Sequence, residues 1–449
     1  MRATTLLFLT LILTGCAASD TVPPAPAAER DDAYAIVGAT VIPMNRPGSL
    51  ENQTILVEGE RIVAAGPAGR VTVPPGTAVI EGRGRFVIPG LAEMHGHVPP
   101  PNAPADHVED VLFLYVASGV TTVRGMLGAP GQLALKERTA SGELVGPNLY
   151  LAGPSFNGQS VNSPEEAIAK VRQQHAEGWD LIKIHPGLTR PEYDAMARTA
   201  REVGMRFGGH VPQEVGLEHA IEMGQETFDH LDGYIEHLEG MDGPVDPGRL
   251  RAIVEKTRSA GAWVVPTMAL WETLVGTADL ATLTSYPELV YMPAGMVANW
   301  TEAHRNRLAN RPLPEAAAKQ MVANRIEILR ALHEGGVRVL MGTDAPQQFS
   351  VPGFALHREF PRMLQAGMTP WEIIESGTRN VGIYFANEDR FGTIEPGQRA
   401  DIVVLAADPL ADIANLRKIE GVMVRGRWLD RAAIDRRLAE IAARRDGGQ

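Results

Sequence analysis

The chain has 449 residues, enough for a large core or two domains, and its 44% hydrophobic and 21% charged content is ordinary for a soluble globular protein. The formal net charge of -12 is spread without long single-sign blocks, which excludes the basic footprint of a nucleic-acid binder and speaks for solubility rather than for a partner. A single cysteine, Cys16, excludes intrachain disulfides.

Met1-Arg2 supplies a short positive n-region, and the apolar run from Leu6 to Leu13 is too short to span a bilayer. The run ends in Leu13-Thr14-Gly15-Cys16, which resembles the bacterial lipoprotein lipobox. That resemblance implies removal of residues 1–15 as a lipoprotein signal peptide and acylation of Cys16. It also implies a cell-envelope location facing the periplasm, with the lipid as the only membrane contact. An ordinary signal peptide cleaved nearby is the alternative. Residues 16–33, rich in Ala and Pro, read as a tether.

Residues 34–85 carry short β-rich runs broken by Gly, Pro and Asn, an all-β texture. From 86 to 389 short apolar runs alternate with amphipathic helical stretches. Strands are expected over 86–94, 121–124, 148–152, 181–184, 206–209, 227–229, 263–267 and 338–342. Eight alternations in about 300 residues favour an α/β fold of the parallel (β/α)8 TIM-like barrel type over an open doubly wound sheet. No Gly-rich dinucleotide loop follows the first strand. Residues 390–430 return to β, and a charged helix is expected over 431–449. Because the two β zones flank the barrel, one small β-sandwich domain built from 34–85 and 390–430 is expected.

His95-Gly96-His97 closes the first barrel strand. Side chains alternate along a strand, so the two imidazoles share a face and suit a first-row divalent metal. The solvent face of an edge strand is the alternative. Catalytic residues of such barrels sit at the C-terminal strand ends. Those ends carry, in order, His95 and His97, then Lys183, His210, His230 and Asp344.

Lys183 stands out, because the chain has six lysines against 36 arginines and this one lies between isoleucines in a strand. A buried ammonium needs a partner or a lowered pKa. A neutral amine there would react with carbon dioxide to give a carbamate, an anionic ligand able to bridge two cations. A lysine ion-paired at the strand end is the alternative. His210 and His230 read as nitrogen ligands of a second metal, and Asp344 as a ligand of the first and its proton shuttle. His185 shares the face of Lys183, and His237 falls in the loop after the sixth strand. His107, His219, His304, His333 and His357 read as surface or packing residues.

The text Val87-Ile-Pro-Gly-Leu-Ala-Glu-Met-His-Gly-His97, Asp180-Leu-Ile-Lys-Ile184, Gly209-His210, Asp229-His-Leu231, Gly342-Thr-Asp344 and the closing segment 391–405 resembles the amidohydrolase superfamily. Within it, the nearest branch is the imidazolonepropionase-like and Xaa-Pro-dipeptidase-like one, and the likeness runs from about residue 34 to 430. It implies two divalent ions, zinc by default, bridged by carboxylated Lys183. His95, His97 and Asp344 would hold the more buried ion, His210 and His230 the more exposed one. A hydroxide bridging the two would be the nucleophile, with Asp344 and His230 as the catalytic residues and Asp344 passing the proton to the leaving amine.

The implied enzyme is a metal-dependent hydrolase of an amide-type C–N bond in a small peptide-like or N-acyl amino-acid substrate. A cyclic amide or lactone is an alternative for the same centre, and a non-catalytic binding lipoprotein is the rival reading. One departure stands out: dipeptidase-like members often carry Gly-Gly-His after strand three, where this chain has Gly153-Pro-Ser-Phe-Asn-Gly158. Arg124 and Tyr234 are candidate substrate contacts, with an ion pair or barrel packing as the alternative for each. Segment 269–314, with Trp271, Tyr286, Tyr291 and Trp300, reads as a lid or as an inserted helical pair. The oligomeric state, homo-oligomer included, stays open.

Overall fold

The β-rich opening zone forms β1 (Ala33–Val41), β2 (Leu50–Glu58), β3 (Arg61–Pro67), β4 (Ala78–Glu81) and β5 (Phe86–Pro89) in a computed structural model that describes residues 33–446 apart from 312. Cys16 and the targeting segment lie outside the described residues. Among the described residues no helix is long and apolar enough to cross a membrane. The barrel zone supplies β6 (Leu91–Gly96), β7 (Val120–Gly125), β8 (Asn148–Leu151), β9 (Leu181–Ile184), β10 (Arg206–Gly209), β11 (Thr227–Asp229), β12 (Trp263–Val265) and β13 (Arg338–Val339). The last β zone supplies β14 (Ile402–Leu405), β15 (Ile419–Val424) and β16 (Arg427–Asp430).

Strands from both ends of the chain join in one eight-stranded sheet, ordered β16-β15-β14-β5-β1-β2-β3 with β4 on β1. One face of this sheet buries Ile36, Val41, Ile55, Val57, Ile402, Val404 and Met423. The expected single strand over 86–94 is split in two. At Gly90 the chain leaves β14 and β1 and starts pairing with β7: Gly90 N–H donates to the Asp401 carbonyl, and Leu91 N–H to that of Gly119. A Cβ at Gly90 would stand 2.1 Å from the Thr121 hydroxyl, so only glycine admits this crossing.

The barrel strands pair in parallel with their sequence neighbours, β6 to β8 and β9 to β13. Parallel bridges Ala152–Leu181 and Phe156–Ile184 join the two arcs on one side. On the other, Met94 N–H donates to the Met341 carbonyl at 2.8 Å and Asp344 N–H to that of His95 at 2.7 Å. Eight parallel strands in chain order, linked by helices, make the TIM-like barrel. Local chemistry sets the helix ends: the Ser163 hydroxyl caps Pro164–Glu177 at Glu166 N–H, and Gly178 closes it in the left-handed region. The helix Arg190–Val203 buries Tyr193, Met196, Ala197 and Ala200 against the barrel.

Segment 269–314 is largely helical, with Met268–Leu274, Leu280–Thr284 and Ala294–Ala309, the last two separated by the 3-10 turn Pro287–Tyr291. Trp300 packs on Phe349, ring centroids 5.9 Å apart. The final helix, Arg431–Asp446, lies across Ala105–Ala117. There the buried Asp110 carboxylate accepts from Arg437, Arg444 and Arg445.

A second buried charge cluster sits at the seam of sheet and barrel. Arg399 donates to Asp401 at 2.7 Å, to Asp389 at 2.8 Å and to Thr122 at 2.9 Å. Asp401 also accepts from Asn148 and from the Arg425 N–H.

Candidate metal centre

Polar side chains at the ends of five barrel strands converge on one point. His95 ends β6, Lys183 lies on β9, His210 and His230 follow β10 and β11, and Asp344 lies just beyond β13. Three imidazoles share one arrangement. His95 Nδ1 meets Asp229 at 2.7 Å, His210 Nδ1 meets Asp232 at 2.5 Å, and His230 Nδ1 meets the Thr267 hydroxyl at 2.7 Å. An Nδ1–H held by an oxygen leaves the Nε2 lone pair free to bind a cation.

The Nε2 atoms of His95 and His230 face a carboxylate. His95 Nε2 lies 3.6 Å, and His230 Nε2 3.7 Å, from oxygens of Asp344, while His97 Nε2 reaches Asp344 Oδ1 at 2.5 Å. One ligand atom each from His95, His230 and Asp344 fits within 4.8 Å of the others. His230 Nε2 is buried with no hydrogen-bond partner and faces the Asp344 carboxylate, an open position among metal-binding residue types. The ring centroids of His210 and His230 are 4.6 Å apart, so the same patch extends outward to a second group of donors. The donor set therefore fits divalent metal.

Lys183 is fully buried, with Nζ 3.2 Å from His95 Nε2. Burial lowers its amine to about 8, against the pull of Asp229 and Asp344. Burial first, and then the Lys183 charge, hold His95 well below its ordinary range; burial and the neighbouring histidines do the same to His230. Burial alone would raise Asp229, but Arg124 and Lys183 outweigh it and hold that carboxyl low. His95 and His230 are thus held as neutral imidazoles and Asp229 as an anion, the states that suit a metal centre.

The frame around it is strained and braced. His230, Thr267 and Asp344 adopt positive φ of 64°, 46° and 66°, a region non-glycine residues visit at a cost and mostly at functional sites. Glu93 accepts from the Thr343 N–H at 2.7 Å, the Thr343 hydroxyl at 2.6 Å and the His95 N–H at 3.2 Å, tying β6 to the Asp344 loop. Burial pushes its carboxyl up to about 8. Arg325 donates to the His230 carbonyl, and its guanidinium lies 3.7 Å from the Trp271 ring centroid.

A cavity of about 480 Å³ opens onto the centre, lined by His95, His97, His210, His230 and Asp344 together with His185 and Trp271. His185 stacks on His210, and burial lowers it to about 3, so it is a neutral ring. The helix Met268–Leu274 covers part of this cavity. Its first N–H groups, on Met268 and Ala269, donate to the buried Glu359 at 2.7 and 2.9 Å, and burial raises that carboxyl to about 7.

The two expected substrate contacts fall elsewhere. Arg124 is fully buried, spent on the Met94 carbonyl at 2.6 Å and on both oxygens of Asp229 at 3.2 Å. Its strand pleat points it into the barrel, where it fixes the partner of His95. Tyr234 is equally buried, bonded to the Thr257 hydroxyl at 2.8 Å. Neither lines the cavity. His237 stands off it too, 3.9 Å from Glu218. In the segment without histidine, Phe156 is buried in pairing with β9.

Sequence reasoning missed Asp232, Thr267, Glu93 and Arg325 as parts of the site. Asp232 lies two residues from His230 and was within reach of a spacing argument. Glu93, two residues before His95 on the same strand, was within the same reach, whereas Thr267 and Arg325 come from other elements and carry no local signal.

Comparison with known proteins gives a consistent picture. Residues 86–429 match the amidohydrolase family. Adenine deaminase 3 of Rhizobium meliloti (strain 1021) is 22% identical over 399 residues, 84% of this chain and 54% of that protein. The chain thus spans about half the length of that relative. A bottromycin amidohydrolase superposes with a TM-score of 0.72 at 23% identity, covering 93% of this chain and 91% of the other. A Xaa-Pro dipeptidase with methionine bound in its active site does so at 0.66 and 22% identity, covering 89% and 100%. At these identities the structural likeness shows the fold, a barrel with its β-domain.

Proposed function

The chain belongs to the amidohydrolase family, and from that premise we propose that it is a metal-dependent hydrolase that cleaves an amide-type C–N bond. The observation that carries this reading is the buried, unpartnered Nε2 of His230, 3.7 Å from a carboxylate and beside two further imidazoles. The donors fit two divalent ions, zinc by default. His95, His97 and Asp344 would hold one, His210 and His230 the other, and Lys183 as its carbamate would lie between them. Bound there, such ions supply a hydroxide nucleophile at neutral pH and polarise a carbonyl.

The protein's own part follows from its geometry. Asp344, on a strained loop braced through Glu93, is placed to accept the proton of the attacking water and deliver it to the leaving nitrogen. His97 Nε2 lies 2.5 Å from Asp344 Oδ1 and so fixes the position of that carboxylate. Asp229, Asp232 and Thr267 hold their imidazoles in one tautomer and orientation, so the donors need no rearrangement. The helix Met268–Leu274 and Trp271 limit access of bulk water to the cavity.

The likeness to adenine deaminase 3 supports a second reading, hydrolytic deamination, in which water attacks in the same way and the nitrogen leaves as ammonia. We further propose that the protein is a lipoprotein anchored through Cys16 on the periplasmic face, a reading supported by Leu13-Thr14-Gly15-Cys16. Metabolic labelling with palmitate, lost in Cys16→Ser, is the expected result.

Metal content of the purified protein, measured beside Lys183→Ala, tests the central reading. Near two ions per chain, falling sharply in the variant, is expected. One ion per chain, indifferent to the variant, would replace the bridged centre with a mononuclear one. No bound metal would sink the hydrolase.

A further inference from the structure

The cavity over the centre is chemically lopsided. Toward the strand ends it presents imidazoles and two carboxylates, Asp232 and Asp344. The rest of its lining is largely apolar: Leu127 from the loop after β7, with Leu270, Trp271 and Leu274 from the helix after β12. Among the described residues lining it there is no lysine and no arginine.

The cations close to the centre are committed elsewhere. Lys183 is fully buried beside His95, Arg124 is spent on Asp229 and the Met94 carbonyl, and Arg325 is spent on the His230 carbonyl and the Trp271 face. The two lining carboxylates are in use as well, Asp232 on His210 and Asp344 on His97. A substrate carboxylate turned to the apolar side would lose hydration against leucine and indole and find no cationic side chain there, an unfavourable exchange. An aromatic or branched aliphatic group would exchange water for leucine and indole surface. The volume of about 480 Å³ suits one such small molecule.

We propose that the substrate is a neutral amide whose apolar group lies against Leu270, Trp271 and Leu274, and that the cavity rejects compounds with a free carboxylate next to the scissile bond. This rests on the hydrolytic reading above and narrows it: N-terminally acylated peptides blocked at their far end, or other uncharged amides, fit, whereas free dipeptides and N-acyl amino acids do not.

The test uses matched pairs, the primary amide and the free acid of N-acetyl-phenylalanine, N-acetyl-leucine and N-acetyl-tryptophan. Binding to the full-length, metal-loaded protein is measured by calorimetry, and acetate release is followed separately. The amides are expected to bind at least tenfold more tightly than their acids. Leu127→Arg places a cation at a position that is 43% exposed, so the fold tolerates it, and the preference is expected to shrink or invert. Trp271→Ala is expected to weaken the two aromatic amides more than the leucine one.

Acids that bind as well as amides would overturn the proposal. So would a failure of all six compounds to bind, or a preference indifferent to Leu127→Arg. Amides that bind in the expected order but release no acetate would count against the hydrolytic reading and leave this one standing. Acids that bind more tightly and are cleaved would do the reverse.

Discussion

At the seam between sheet and barrel, Arg399 is buried and all three of its guanidinium nitrogens are engaged, by Asp401, Asp389 and Thr122. At the barrel mouth, His230 is equally buried and leaves Nε2 with no partner, facing Asp344 and two more imidazoles. Both clusters are polar, both are enclosed, and both join elements far apart in sequence. They differ in closure. At the seam every guanidinium nitrogen of Arg399 is met by a protein group. At the mouth His230 Nε2 has no protein partner and lies among donors that fit a cation. Buried polarity by itself therefore says little about function; an acceptor surplus says a great deal.

The sharpest way to break this contrast is Asp344→Asn. We expect turnover to fall about a thousandfold, with bound metal retained, because the amide cannot carry the proton. Metal analysis beside steady-state kinetics checks it, and a parallel loss of metal would reduce Asp344 to a ligand.

At the seam the expected effect is on stability instead. Asp401→Ala leaves Arg399 with one carboxylate fewer in a buried setting and should cost about 3–5 kcal/mol in urea unfolding. Metal content per folded chain should not change. A drop in metal content would mean the two clusters are coupled.

Stripping the metal should expose the surplus directly. An ion present at about a hundred times its Kd stabilises the folded chain by about 2.7 kcal/mol, so chelation should lower the melting temperature and metal should restore it. A protein indifferent to chelator would not have an open mouth.

The smallest effect concerns Glu359, which belongs to neither cluster. Burial raises it to about 7, so the folded state holds a proton that the unfolded chain releases near its ordinary value of 4.5. Its contribution is complete below about pH 4.5 and is lost as pH rises toward 7, roughly 2 kcal/mol between about pH 5.5 and about pH 7.5. Glu359→Gln should flatten that part of the stability profile relative to the unmodified protein, read by urea unfolding at both pH values.

How much of this was legible in the chain depends on the range of the interaction. The strands over 181–184, 206–209 and 227–229 form where expected, because each is a short apolar run bounded by helix ends and glycine. The residues at the mouth could be read as polar groups closing those runs. The run over 86–94 read as one strand because apolar content does not record a change of partner; Thr121, approaching Gly90, makes that change. Likewise Asp229 stands next to His230 in sequence yet serves His95, 134 residues away, which no local pattern reports. Arg124 and Tyr234 were visible as polar residues near the mouth. The pleat of β7 turns Arg124 inward and the short helix Tyr234–His237 buries Tyr234, so each takes the packing alternative, a direction that local sequence does not report.

The order β14-β5-β1 in the sheet has a consequence for how the protein is made. Phe86 pairs with Leu405, so β5 leaves the ribosome long before the strand that covers its edge. At about 5–20 residues per second, that edge stays unpaired for some 15–60 seconds while the whole barrel is synthesised. An open edge is a template for another nascent chain. A premature stop just after the barrel would make the exposure permanent, and such a fragment should be recovered in aggregates even though every metal ligand is already present.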